Sequence, residues 1–211
     1  MLTTQDGEGL SKRLGSLSIH TLAEEGYEGM AVACLAVLTG TSGPVEALAK
    51  MADLVGTFDL KSVTKSSAKF DPAELGSLNR RIVHQLTYDD VKDRLDAMAV
   101  SGGAAFWDAV KDNLEKVSEA ADFWNLIENA SPIIDQDDKE FISTAVSVLP
   151  EGDWNIETWG QWISAIKGVS DRKGKGLFMP LRKALTGMEH GPELDKLLPL
   201  IGRERTLARL S

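Results

Sequence analysis

Two short stretches of this 211-residue chain combine cations, glycines and aromatic or hydroxyl side chains in patterns suited to phosphates and nucleobases. In Gly7-Glu8-Gly9-Leu10-Ser11-Lys12-Arg13-Leu14-Gly15, glycines bracket a hydroxyl and two cations. Such a loop can bring a lysine ammonium onto phosphate oxygens and offset the charge that develops during transfer at phosphorus. The same residues also suit a plain exposed loop. The second stretch, Asp171-Arg172-Lys173-Gly174-Lys175-Gly176-Leu177-Phe178-Met179-Pro180-Leu181-Arg182-Lys183, leads cations into a helix, with Phe178 beside them as a stacking surface for a base. Its alternative is a solvated turn and a helix whose Phe, Met and Leu are core.

Other reactive side chains are arranged less suggestively. Trp154, Trp159 and Trp162 offer flat rings, but their helical spacing suits a hydrophobic core better than a stacking platform. His20, His84 and His190 are scattered, and none pairs with a Cys or Ser at a spacing that suits a nucleophile or a metal site. Asp135-Gln136-Asp137-Asp138 sits where a helix should start, so these carboxylates are expected to cap it and favour its dipole rather than bind metal. Cys34, the single cysteine, lies in the apolar run Met30–Leu38 and reads as a small buried hydrophobe.

The elements that must position these groups are helices. Helical periodicity dominates and alternating β-type stretches are nearly absent, which predicts an all-α protein. Tyr27–Leu38 is apolar all round and reads as a buried helix; Pro44 is expected to open a second one through Val45, Leu48, Met51 and Leu54. Gly56 to Phe70 reads as an extended loop anchored at its ends by Phe58 and Phe70. Asp71, Pro72 and Glu74 are strong start signals for the next helix, and Thr87 with Asp90 repeats the pattern before Asp89–Val100. Ser101-Gly102-Gly103 is the candidate domain boundary. Beyond it helices are expected at Ala104–Val117, Glu119–Asn129, Gln136–Leu149, Ile156–Val169, Phe178–Thr186, Glu193–Leu200 and Arg203–Leu210.

Composition limits the class. Hydrophobic residues make up 43% and charged residues 26%, which suits a folded chain with a substantial core, and no apolar run approaches the roughly 20 residues of a membrane span. No export signal is visible, so a cytosolic protein is expected. The net charge of −9 argues against a non-specific nucleic-acid binder. That average hides a division. Acidic residues dominate Asp108–Glu140, whereas Arg172, Lys173, Lys175, Arg182, Lys183, Lys196, Arg203, Arg205 and Arg209 make the last forty residues basic. An RNA-facing surface at that end is compatible with the count.

Several motifs resemble one family in its order. Gly9-Leu10-Ser11-Lys12-Arg13 resembles the Lys-Leu-Ser-Lys-Arg form of the second signature loop of class I aminoacyl-tRNA synthetases, with glycine for the first lysine. Ser62–Asp71, SVTKSSAKFD, looks like the stretch ending Ser-x-Ala-x-Phe-Asp in the glutamyl enzymes, and Leu78-Asn79 fits the pair that follows it. Gly176–Leu210 closely resembles the C-terminal end of bacterial glutamate–tRNA ligases. The resemblance implies three parts: residues 1–17 as the tail of a catalytic domain carrying the signature loop, 18–100 as a helical stem-contact region, and 101–211 as an all-helical anticodon-binding domain, an α-helix cage.

It further implies a parent enzyme that uses ATP and Mg²⁺ to attach glutamate to tRNA, with Lys12 and Ser11 on the ATP phosphates. Arg182 matches an arginine that contacts the anticodon, and Gly191, Pro192 and Leu194 fall on the turn that approaches its last base. No His-x-Gly-His element or βαβ alternation of a Rossmann-type catalytic domain is present in the sequence. The expected activity is therefore tRNA binding without aminoacylation, by a cytoplasmic monomer whose partners are tRNA(Glu), or also tRNA(Gln), and the catalytic domain. The competing reading is a helical adaptor that binds a protein through its acidic stretch.

Overall fold

A computed structural model describes residues 18–65 and 68–211, with the backbone of residues 2–3. Among them helices α1 to α11 span Ile19–Glu24, Gly29–Leu38, Met51–Thr57, Pro72–Val83, Tyr88–Ala97, Gly103–Val110, Ala120–Asn129, Lys139–Ser147, Thr158–Val169, Lys175–Thr186 and Leu194–Leu210. The expected all-α class holds, with one two-residue parallel pairing of Leu2–Thr3 with Ala68–Lys69 beside the helices. The chain divides into two compact units, residues 1–94 with 114–119 and residues 95–113 with 120–211.

In the first unit, α2 packs against α4. The apolar residues of α4 recur at helical spacing, and Leu75, Leu78 and Ile82 are buried in one core with Ala31, Cys34, Leu35 and Leu38 of α2. Both expected caps are formed. The Asp71 carboxylate accepts from the Ala73 amide at 2.9 Å, and Asp90 accepts from the amide and hydroxyl of Thr87 at 2.8 and 2.6 Å. Those bonds hold the Asp90 carboxyl below its ordinary value. The cap's contribution is thus complete above the ordinary carboxylate range and lost as pH falls through the lowered value.

Pro44 does not open a helix, and the first turn of α3 begins at Met51. The carbonyls that such a helix would use are taken elsewhere. Ala47 O accepts from Gln85 Nε2 at 3.0 Å, and Leu48 O accepts from the buried Cys34 thiol at 3.5 Å. Phe70 packs on the core as expected, whereas Phe58 stays 38% exposed at the rim of a shallow apolar hollow with Val37, Leu54 and Val63. The expected helix Ala104–Val117 stops at Val110 and gives way to a single tighter turn, Lys111–Asn113. The chain then runs through 114–119 in the first unit. There the Glu119 carboxylate accepts from the amides of Glu115 and Lys116, and Lys116 lies 4.5 Å from the Tyr27 ring centre.

In the second unit α11 runs through the middle, touching α6, α7, α8, α9 and α10. Its two expected segments are one element bent at Gly202, whose φ of 78° and ψ of 161° are non-helical. Leu194, Leu197, Leu198, Ile201 and Leu210 are buried along it. Packing at the start of α6 is close: Phe106 and Trp124 meet edge to face with centroids 5.3 Å apart, and a Cβ on Gly102 would lie 2.6 Å from Trp124. Only glycine fits there.

Candidate nucleic-acid interface

Helix α10 carries the second candidate stretch. It starts after Gly174, contains Pro180, and ends at Gly187, which takes the left-handed conformation (φ 70°) and donates its N–H to Lys183 O at 2.8 Å. The turn that follows is tied back by Thr186, whose hydroxyl donates to Arg182 O at 2.7 Å and accepts from the Met188 amide at 3.1 Å. At Gly187 a Cβ would stand 2.5 Å from the carbonyl oxygen of Ser131. Gly187→Ala is therefore expected to cost about 2 kcal/mol from the left-handed backbone and the clash, read as a lower urea midpoint; an unchanged midpoint would show that the turn has slack.

Arg182 is the centre of the site. Its guanidinium is partly buried, donates Nη1–H to Pro192 O at 3.0 Å, and forms no ion pair among the described residues. Burial lowers its pKa from the ordinary arginine value, the mark of a cation held away from water without a carboxylate. The remaining N–H groups are free to meet an acceptor. A Cβ on Gly191, whose φ is 140°, would lie 3.8 Å from Arg182 Nη1 and 3.9 Å from Phe123 Cε1. The structure thus gathers Arg182, Gly191 and Pro192 in one place and adds Phe123, which the sequence did not single out. Leu194 does not join them by its side chain, which is 5% exposed and part of the core. Ser11 and Lys12, the expected ATP-facing residues, lie outside the described residues.

The basic end of the chain is largely neutralised within the second unit. Arg172 is paired with Asp138, donates to Asp137 O at 3.0 Å, and lies over the Phe141 ring at 4.5 Å. Lys183 meets Asp135 at 2.5 Å, Lys196 meets Glu193 at 2.8 Å, and Arg205 meets Glu128 at 2.9 Å. Arg209 is buried. This corrects the reading of Asp135–Asp138 as helix caps: neither Asp135 nor Asp138 makes a side-chain cap bond, because a fixed cation from another element is the stronger partner. Lys173 and Lys175 remain exposed with no acidic partner among the described residues. Of the tryptophans, Trp162 is fully buried as expected of core, whereas Trp154 and Trp159 are only partly covered.

A helical unit that presents a partly buried arginine at a fixed turn, with most other cations paired off, suits reading of a particular base rather than general phosphate attraction. Residues 88–211 match the family described as anticodon binding domain, and the chain belongs to that family. Over 214 residues it is 50% identical to glutamate–tRNA ligase 1 of Brucella canis, covering 99% of this chain and 47% of that protein. It is 49% identical over 215 residues to glutamate–tRNA ligase 2 of Bartonella bacilliformis, covering 100% of this chain and 47% of the relative. The chain therefore spans about half the length of these curated relatives. A solved glutamate–tRNA synthetase from Elizabethkingia anophelis matches with a TM-score of 0.77 at 20% identity, over 100% of this chain and 49% of that one, and supports the fold. No helix among the described residues is long and apolar enough to cross a membrane.

Proposed function

We propose that this chain is the tRNA-reading part of a glutamate–tRNA ligase, with residues 18–100 contacting the tRNA stem and 101–211 binding the anticodon. The observation that carries the reading is Arg182: a partly buried guanidinium, fixed through Pro192 O, that keeps hydrogen-bond donors for an outside acceptor. An arginine fork of this kind suits the edge of an unstacked base, and backbone groups of the Gly191–Pro192 turn can meet its neighbour without a particular side chain. The ligand is tRNA(Glu), with tRNA(Gln) as the second candidate.

In the whole enzyme, glutamate is activated with ATP and Mg²⁺ and joined to the 3′ end of the tRNA. Lys12 and Ser11 belong on the ATP phosphates there, and the catalytic domain supplies the rest of the nucleotide site. This chain by itself binds tRNA without charging it, as a cytoplasmic monomer. The adaptor reading has less support, because Asp108, Glu128, Asp135 and Asp138 of the acidic stretch are paired with cations of this chain.

Fluorescence anisotropy over a salt series tests the assignment. The chain is expected to bind tRNA(Glu) more tightly than the same tRNA with a scrambled anticodon, and Arg182→Ala is expected to weaken binding about tenfold, the scale of losing a good hydrogen-bonded base contact. Equal affinity for the two tRNAs would remove anticodon reading by this chain.

A further inference from the structure

The partly exposed rings of Trp159 and Phe178 are not accounted for by packing alone. Trp162 is locked in the core, fully buried, with its indole N–H donating to Ala145 O at 2.9 Å. Trp159 meets it edge to face with centroids 5.7 Å apart, and Phe178 of α10 leans on Trp159 at 6.3 Å and 39°. The three rings form a line from core to surface. Phe178, at its outer end, is 40% exposed, and the N–H of Trp159 has no hydrogen-bond partner among the described residues. An anchored aromatic pair of this kind contributes a flat apolar surface whose ordering is already complete before a ligand arrives.

Its surroundings indicate the ligand. Lys175, Phe178 and Arg182 stand three and four residues apart on α10, so they share one face of the helix, with Phe178 about 6 Å along the axis from Arg182. Lys175, and Lys173 just before the helix, carry no acidic partner among the described residues, in contrast to Arg172 and Lys183. A cation with no acidic partner among the described residues, an exposed ring and a guanidinium with donors to spare, in succession, match the phosphate, base face and base edge of a single RNA strand. A protein surface would satisfy the ring but gives no reason for the unpaired cations on its flank.

We propose that Phe178, backed by Trp159, is the stacking surface for one unpaired base of the RNA loop whose neighbouring base Arg182 reads, with Lys175 on the adjoining phosphate. The proposal rests on the anticodon reading above. Stacking of one base on an aromatic ring is sequence-tolerant, so this contact supplies affinity and strand direction, and Arg182 supplies the choice of base.

The test uses the full chain and an RNA stem-loop bearing the glutamate anticodon. Phe178→Leu keeps an apolar side chain but removes the π face and is expected to bind about tenfold more weakly, whereas Phe178→Trp retains affinity. In parallel, abasic nucleotides are placed one at a time around the loop and measured with the unmodified protein and with Arg182→Ala. One position should lose affinity on base removal in both proteins, and that loss should vanish in Phe178→Leu. If Phe178→Leu folds poorly, Phe178→Trp carries the abasic arm: it keeps a π face at that site and should retain or enlarge the loss at that one position and leave every other position unchanged. A Trp variant in which no single position shifts or keeps its loss overturns the stacking assignment. If Phe178→Leu binds as well as the original, or no abasic position keeps its effect in Arg182→Ala, the stacking surface is wrong while anticodon reading stands. If no RNA is bound by any form, both readings fall together.

Discussion

Arg209→Met is expected to destabilise the second unit by about 3 kcal/mol or more, the sum of three buried carbonyl bonds lost together. Arg209 is 6% exposed and has no carboxylate partner among the described residues. Its Nη1 donates to Leu185 O at 2.7 Å, and its Nη2 to Leu126 O and Ile127 O at 3.0 and 2.5 Å. Leu126 and Ile127 lie in the last turn of α7 and Leu185 in the last turn of α10. One guanidinium thus meets carbonyls at the negative dipole ends of two helices, Leu126 O among them also accepting from the Ala130 amide at 3.1 Å, which is how a buried positive charge is held without an acid.

Burial, and secondarily the nearby Arg205, lower the pKa of Arg209 without removing its charge near neutrality. Methionine keeps the stem and removes the donor from the Leu185 and Ile127 carbonyls, while Leu126 O keeps the Ala130 amide. Lysine restores the charge but not the fork, so Arg209→Lys should fall between the two. The measurement is urea unfolding followed by tryptophan emission, because all five tryptophans lie in the second unit. A methionine variant with the original midpoint would mean that the carbonyls find water or other donors.

Asn79→Asp is expected to cost the first unit about 2–4 kcal/mol near neutral pH. Asn79 is 1% exposed; its Oδ1 accepts from the Glu28 amide at 2.7 Å and its Nδ2 donates to Glu115 O at 2.7 Å. It joins the start of α2 to the segment 114–119 that returns to this unit. An aspartate keeps the acceptor but sets a second oxygen against the Glu115 carbonyl. Protonation restores a donor, and burial raises the pKa of the new carboxyl. The penalty should therefore grow as pH rises through that raised value and shrink in acid. Far-UV circular dichroism would follow both units, while tryptophan emission follows the second alone. A pH-independent loss would show that the Glu115 contact is not what Asn79 supplies.

Local rules read well where one element decided the outcome. Asp71-Pro72 and Thr87/Asp90 are start signals whose partners lie within three residues, so no distant contact was needed to interpret them. Pro44 failed because Gln85, 38 residues on from Ala47, and Cys34, 14 residues before Leu48, take the carbonyls at 47 and 48. The helix expected to reach Val117 failed for a similar reason, since Asn79 and Glu119 bind the backbone at 115 and 116. The candidate site was named through resemblance, which pointed to Arg182 and the Gly191–Pro192 turn, and the structure brings these residues together. Phe123 carried no such signal, because one aromatic on an amphipathic helix looks the same whether it faces core or ligand.

The amino-acid sequence by itself determined the all-α class, the helix starts marked by short-range capping, the burial of Cys34, and the family to which the chain belongs. These depend on periodicity, on bonds between near neighbours, or on long stretches of shared order. Only the tertiary structure decided which of the basic residues keep a charge for a ligand. Arg172, Lys183 and Arg205 lose theirs to Asp138, Asp135 and Glu128, and Arg209 is turned into the core, while Lys173 and Lys175 have no acidic partner among the described residues and Arg182 is partly buried with donors to spare. Each pairing joins residues more than thirty positions apart, where electrostatic partners are chosen by distance in space and sequence spacing carries no information about it.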